Sequence, residues 1–211
     1  MRASRLAEVP DEVDLATAAA LPMAGLTALR TVRRLGNLLG REVLVTGANG
    51  GVGRMQVQLA KLSGARVTGL VRAPAAETVA DVAVTSLAEA GPFDAALDAI
   101  GGDLLKSIVG RLKPQADLVW FGSGAGQSSA LSIYDFVGHE GVSIHTYFSY
   151  AEDATRDADD LSLLLSLIAK RSITVEIASQ WPLFEAAGAA QQLAQGGTSG
   201  KIVLARAAEG R

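Results

Sequence analysis

The chain has 211 residues, a formal net charge of −3, 49% apolar residues and 19% charged ones. That balance describes a compact globular protein rather than a disordered one, and gives no reason to expect nucleic acid or an anionic membrane as a partner. No cysteine is present, which excludes disulfides and thiolate zinc sites. The two histidines, His139 and His145, read as a loop and a strand residue, so no metal is expected. No apolar run reaches the ~18 residues of a membrane span. Charges interrupt the first residues where a secretory signal would need an apolar core, so a cytoplasmic location is the expectation.

Residues 1–13 are charged and mixed, with Pro10 marking an irregular entry. Asp14 suits the N-cap of a short alanine-rich helix over 15–21, which Pro22 and Gly25 close. A second helix is predicted over 26–39, with Leu26, Leu29, Val32 and Leu35 on one face and Gly40 after it. Val43, Leu44 and Val45 then form the apolar run of a strand buried on both faces. The run breaks into Gly47-Ala48-Asn49-Gly50-Gly51-Val52-Gly53, after which apolar residues recur at helical spacing until Gly64.

Strand, glycine turn and helix together are the context of a dinucleotide fingerprint. A pyrophosphate needs backbone N–H groups and the positive end of a helix. Gly50 and Gly51 permit its close approach, and Gly53 lets the helix pack tightly on the strand. Ala48 stands where the usual pattern begins with glycine. The second strand is predicted over 66–71. At its end, ~20 residues after the glycines, an acidic residue would select NAD. Arg72 occupies that place, with no Asp or Glu adjacent. A guanidinium pairs with a 2′-phosphate that a carboxylate would repel, which favours NADP, with NAD as the alternative.

A short link over 73–80 leads to strands over 82–85 and 93–99, the latter ending in Asp98 with Gly101-Gly102 beyond it. A helix over 103–112 stops before Pro114. A strand over 117–121 runs into Gly122-Ser123-Gly124-Ala125-Gly126. Further elements are a strand over 142–148, a helix over 161–170 behind an Asp-rich opening, a helix over 183–193 and a last strand over 201–205. Strands alternate with helical segments from 43 to 171. The pattern predicts an α/β fold, a doubly wound parallel sheet of about six strands of the Rossmann type.

The series AAALPMAGLTAL, VLVTGANGGVG, VQLAKLSGARV, FDAALDAIGG, DLVWFGSGAG and SGKIVLA resembles the medium-chain dehydrogenase/reductase superfamily. Within it the chain is most similar to the zinc-independent quinone oxidoreductase group, and the resemblance runs through nearly the whole chain in order. Members of that group begin with a GroES-like catalytic domain. Here the sequence opens where that domain would hand over to the cofactor domain, as in an excised domain or a truncated chain. The resemblance thus divides the chain into a remnant or linker over 1–25, a dinucleotide-binding domain over 26–175, and a C-terminal helix and strand over 176–211 returning toward the missing domain. The 73–80 link is shorter than the family's helix, and the lysine many NADP-using relatives carry there is not found.

By position, the resemblance places Thr27 beside the nicotinamide end and Gly50, Gly51, Val52 and Gly53 at the pyrophosphate. Arg72 falls at the ribose-selecting position and Ile100 and Gly101 beside the adenosine. Gly122 and Ser123 fall near the nicotinamide ribose, and Tyr147 and Phe148 at the strand end whose backbone meets the carboxamide. The implied reaction is hydride transfer from NADPH to a quinone or an α,β-unsaturated carbonyl, without metal. The substrate pocket forms between two domains, so a chain lacking one of them is expected to be inactive or nearly so. Tyr134, Tyr147 and Tyr150 are proton donors by chemistry only, and no catalytic residue is assigned. Two alternatives stay open: a dinucleotide-binding or sensor module without turnover, and the cofactor domain of a zinc-dependent alcohol dehydrogenase. The 142–148 strand, rich in β-formers and without proline or lysine, is expected at a sheet edge, pairing two copies into a homodimer. The competing cover for that edge is the chain's own tail over 176–205.

Overall fold

Six parallel strands form the main sheet of the computed structural model, which describes residues 5–73, 78–88 and 90–206. They are β1 (Glu42–Thr46), β2 (Arg66–Leu70), β3 (Val82–Val84), β4 (Phe93–Asp98), β5 (Leu112–Trp120) and β6 (Ser143–Thr146). Their order is β3-β2-β1-β4-β5-β6, a doubly wound sheet whose sense of winding reverses between β1 and β4.

Residues alternate between the faces of a strand, and each face has its own core. Val43, Val45, Leu97 and Val119 pack with α2 (Leu21–Arg34), α3 (Gly53–Leu62) and α5 (Asp157–Ala169). Leu44, Ala96 and Leu118 pack on the other side against Leu105, Ile108 and Val109 of α4 (Asp103–Val109). Both layers being covered explains why these strands read as continuous apolar runs. A two-stranded parallel sheet, β7 (Ile177–Pro182) with β8 (Lys201–Ala205), stands apart from the main one and carries α6 (Ala186–Gln195) between its strands.

A buried ion-pair network locks α2 to α5. Arg30 donates from Nε to Asp160 at 2.8 Å and from Nη2 to Asp157 at 2.9 Å, while Arg5 reaches Asp157 at 2.8 Å and Arg33 also pairs with Asp160. Arg30, Asp157 and Asp160 are all buried.

Several boundaries differ from the expectation. The first helix is Leu15–Ala19, capped as expected by Asp14, which accepts from the Thr17 N–H at 2.9 Å. Pro22 and Gly25 do not close it. Pro22 lies in the first turn of α2, where the missing N–H costs nothing, and Gly25 lies inside α2, where an added Cβ would come 2.9 Å from Leu164 Cδ1. α4 is shorter than 103–112, and β5 starts at Leu112 and carries Pro114. The strand tolerates that proline because the pairing jumps from Phe93 with Leu112 to Ala95 with Asp117, leaving 113–116 as a bulge. α5 begins at Asp157 because the Asp-rich opening is its own first turn, where carboxylates favour the helix dipole. β7 was not expected at all. In the 73–80 link, residues 74–77 lie outside the described ones.

β6 closes one edge of the main sheet, and the tail adds no strand to it. β7 and β8 pair with each other, and among the described residues β5 is the one strand that β6 pairs with.

Candidate functional site

The strand ends that face β1–β4, the reversal point, define a crevice at the carboxyl edge of the sheet, where open α/β sheets bind ligands. In sheet order the edge carries Arg72 after β2, the glycine turn after β1, Ile100 and Gly101 after β4, Gly122 and Ser123 after β5, and Tyr147 and Phe148 after β6. All but one of the sequence-predicted residues therefore fall in one row. The exception is Thr27, buried in α2 with its carbonyl accepting from Thr31 Oγ1 at 2.7 Å.

The turn is built from the inside. Gly47, with φ +62°, makes the reversal that the usual first glycine makes, which frees Ala48 to be buried. Ala48 packs into a space beside Gly69 of β2, where an added Cβ would lie 2.7 Å from Ala48 Cβ. Gly53 serves close packing as expected: a Cβ there would lie 2.2 Å from the Gly47 carbonyl oxygen. Gly51 is hemmed on its bare side as well. Its bare side faces β8, with Lys201 Cδ only 2.2 Å from the Cβ position. The Gly50 N–H bonds back to the Gly47 carbonyl at 2.8 Å. Among the described residues no acceptor meets the N–H groups of Gly51, Val52 and Gly53 at the start of α3. These donors stand together at the positive end of a helix.

The β4 exit is held by Asp98. Its carboxylate, fully buried, accepts from Thr46 Oγ1 at 2.7 Å, from the Ile100 N–H at 3.0 Å and from the Gly101 N–H at 2.9 Å. Thr46 in turn accepts from the Ala99 N–H at 2.9 Å, so β1 and β4 leave the sheet as one rigid unit. The β5 exit is laced to it by the Gly124 N–H on the Ala99 carbonyl at 3.0 Å and the Ala125 N–H on the Ile100 carbonyl at 2.9 Å. A Cβ at Gly122 would lie 2.5 Å from the Ala99 oxygen, so only glycine passes there.

Beyond β6 the edge opens into a largely apolar cavity of about 720 Å³, lined among others by Met23, Leu26, Tyr147, Tyr150 and Leu161. The Tyr147 backbone N–H is already used by the Trp120 carbonyl at 3.0 Å. Its phenol is buried, and burial pushes it above its ordinary range against a smaller opposing influence of the Thr27 hydroxyl. The phenol oxygen completes no hydrogen bond among the described residues. Phe148 is 53% exposed, and Tyr134 and Tyr150 are exposed too. Arg72 is exposed at the end of β2, its Nη1 3.1 Å from where Gly196 would carry a Cβ.

Sequence reasoning missed the contribution of the last strand. The Gly200 N–H donates to the Asn49 carbonyl at 3.1 Å, Gly50 and Gly200 form a parallel bridge, and Lys201 crosses Gly51. Nothing local in Gly200-Lys201 announces this, because its cause is a contact between distant parts of the chain. Among the described residues no group of three or more His, Cys, Asp or Glu could hold a metal ion, and no helix is long and apolar enough to cross a membrane.

A six-stranded parallel sheet with a glycine-turned helix at its reversal point defines a Rossmann-like nucleotide-binding class. Comparison with known proteins makes the assignment finer. Residues 74–204 match the family model described as zinc-binding dehydrogenase. A quinone oxidoreductase of Pseudomonas aeruginosa is 31% identical over 219 aligned positions, covering 95% of this chain and 67% of the relative. A mycobacterial quinone oxidoreductase superposes with a TM-score of 0.79 at 25% identity, over 94% of this chain and 67% of the other. A mycobacterial protein solved in complex with NADPH gives 0.81 at 26% identity, over 96% and 68%. The chain belongs to the zinc-binding dehydrogenase family of the medium-chain dehydrogenase/reductase superfamily, and spans the C-terminal, cofactor-binding part of it. It covers about two thirds of the length of these relatives, 67% for the first. The described residues do not assemble a site for the metal in the family's name.

Proposed function

We propose that this chain is the cofactor-binding portion of an NADPH-dependent oxidoreductase of the quinone or enone reductase type. The observation that carries the reading is the row of residues along the carboxyl edge. It runs through five neighbouring strand ends, about 20 Å at ~4.8 Å per strand, which suits a two-nucleotide ligand rather than a single phosphate. Gly51, Val52 and Gly53 would present N–H groups to the pyrophosphate, with Lys201 adding positive charge from β8. Asp98 keeps the Ile100–Gly101 turn in shape for the adenosine side, and Arg72 stands ready for a 2′-phosphate. Reduced nicotinamide, when bound, supplies the hydride. The chain's own residues bind and orient it and exclude water from one side, and the apolar cavity beyond Tyr147 receives an uncharged acceptor. Residues 1–25 and 176–211 form the connections to a catalytic domain that completes the pocket.

Titration with NADPH and with NADH tests this reading. Binding of NADPH in preference to NADH is expected, with Arg72→Asp weakening NADPH at least tenfold and sparing NADH, because a charge-assisted pair is replaced by repulsion. Absence of binding to either nucleotide would end the cofactor reading. A preference of the unaltered chain for NADH would end the assignment to NADP alone.

The free edge of β6 supports a symmetric dimer. Tyr147 donates inward to Trp120, so by the two-residue alternation of a strand the N–H groups of His145 and Ser143 also point inward. Those of Ile144 and Thr146 point outward, away from β5. Light scattering at micromolar concentration is expected to give twice the monomer mass. Ile144→Pro, which removes an outward N–H and no internal bond, should halve it with circular dichroism unchanged. A monomeric unaltered chain, or a dimer indifferent to the proline, rejects this interface.

A further inference from the structure

We infer that Trp120 is a positioning residue of the cofactor crevice, and that the donor it aims at the ligand is the backbone N–H of Ser123. The inference rests on the dinucleotide reading above. Trp120 ends β5, and its indole Nε1–H donates to the carbonyl of Gly122 at 2.6 Å. The peptide joining Gly122 to Ser123 is planar and trans, so its carbonyl and its N–H point in opposite directions. A carbonyl turned inward onto the indole therefore turns the Ser123 N–H outward.

The neighbouring groups leave that N–H free. Gly124, Ala125 and Gly126 each donate their N–H to a backbone carbonyl, to Ala99, Ile100 and Ser123 respectively. Among the described residues neither Gly122 nor Ser123 donates its N–H to an acceptor, and of the two only the Ser123 N–H shares a peptide with the carbonyl that the indole holds. Its side chain is exposed, and the Gly122 position beside it is backed by Ala99. The same indole walls the β4 exit: a Cβ at Gly101 would lie 3.2 Å from Trp120 Nε1 and 3.4 Å from Cζ2. One side chain thus sets the spacing of two neighbouring turns and the direction of one donor.

The alternative role, packing alone, would need only the rings. Trp120 does pack against the α4 side of the sheet, but a phenylalanine would do that and leave Gly122 unclamped. Without the clamp the 122–123 peptide can rotate, and the Ser123 N–H loses its fixed aim.

The chain has two tryptophans, which makes the test direct. Trp181 donates instead to Gln192 Oε1 at 2.9 Å within the β7–α6 unit and serves as the control. Trp181→Phe assigns both indole N–H resonances in the otherwise unaltered chain. On addition of NADPH the Trp120 resonance should move and the Trp181 resonance should stay. Trp120→Phe should bind NADPH about five- to tenfold more weakly, the loss of one hydrogen bond, while Trp181→Phe binds as before. The resonance shift needs no folded Trp120 variant, so instability of Trp120→Phe would not rescue the idea. If the chain binds NADPH while the Trp120 resonance stays still, the inference is overturned and the cofactor reading survives. Equal affinity in a folded Trp120→Phe variant has the same meaning. If the chain binds neither NADPH nor NADH, both fall together.

Discussion

Gly53→Ala is expected to lower the stability of the chain by about 3 kcal/mol or more, the upper end of the cost of overpacking. The added methyl carbon would sit 2.2 Å from the Gly47 oxygen and 2.9 Å from Ala48 Cα, and both are backbone atoms. No rotamer change relieves such a contact. Either the start of α3 lifts from β1 or the turn opens, and both undo the packing of Met55 and Val57 behind it. A urea titration should show a lower midpoint at unchanged slope. Gly50→Ala is the internal comparison: its methyl would approach the Gly47 oxygen at 3.2 Å, which a shift of a few tenths of an ångström absorbs. Equal midpoints for the two variants would refute the account of the turn.

Arg30→Leu is expected to cost about 3–5 kcal/mol at neutral pH, because it strands carboxylates in the interior. Asp157 is 4% exposed and Asp160 is 3% exposed. Arg5 and Arg33 still touch them, but each is far more exposed than Arg30 and makes a weaker partner. Such a loss is a large part of the about 5–15 kcal/mol that holds a domain folded. Burial alone would raise the pKa of Asp160. The hydrogen bonds and charges of Arg30 and Arg33 outweigh it, and the net shift is downward from 3.8. A carboxyl lowered in the folded state stabilises above its unfolded pKa, and that contribution is lost as the pH falls through the folded value. The unaltered chain should therefore lose stability on acidification below the ordinary carboxylate range. The gap between it and Arg30→Leu should narrow there, since a protonated carboxyl no longer needs the guanidinium. Chemical denaturation from neutral to acid pH measures both, and a gap that widens in acid would contradict the network.

The central strands were readable because burial on both faces leaves an unbroken apolar run, as in Val43-Leu44-Val45 and Leu118-Val119. The glycine turn and its helix followed from spacing, and the edge place of the last strand of the sheet from the doubly wound pattern. Proline was the main source of misreading. Pro22 and Pro114 look like stops in one dimension, yet the first sits where a helix lacks the acceptor anyway and the second where the ladder has already parted. β7 was invisible because its residues are half-exposed and alternate without a strong apolar face. At the site, the approach of Lys201 to the bare side of Gly51 was not legible, because it joins distant parts of the chain. Asp98 stood out at the end of its strand, but its three partners come from β1 and from the turn after it, and only the folded sheet joins them.

The bridge from Gly200 to the glycine turn also bears on the order of assembly. The contact of Ser199 with the Asn49 carbonyl spans 150 positions, while β1, α3 and β2 are neighbours along the chain. Closing so long a loop costs entropy that short-range pairing does not, so contacts of this kind tend to arrive late. On a chain synthesised from its N-terminus, the turn takes its local shape well before β8 is made and can back it. The glycine turn of the crevice is thus outlined well before its backing is in place.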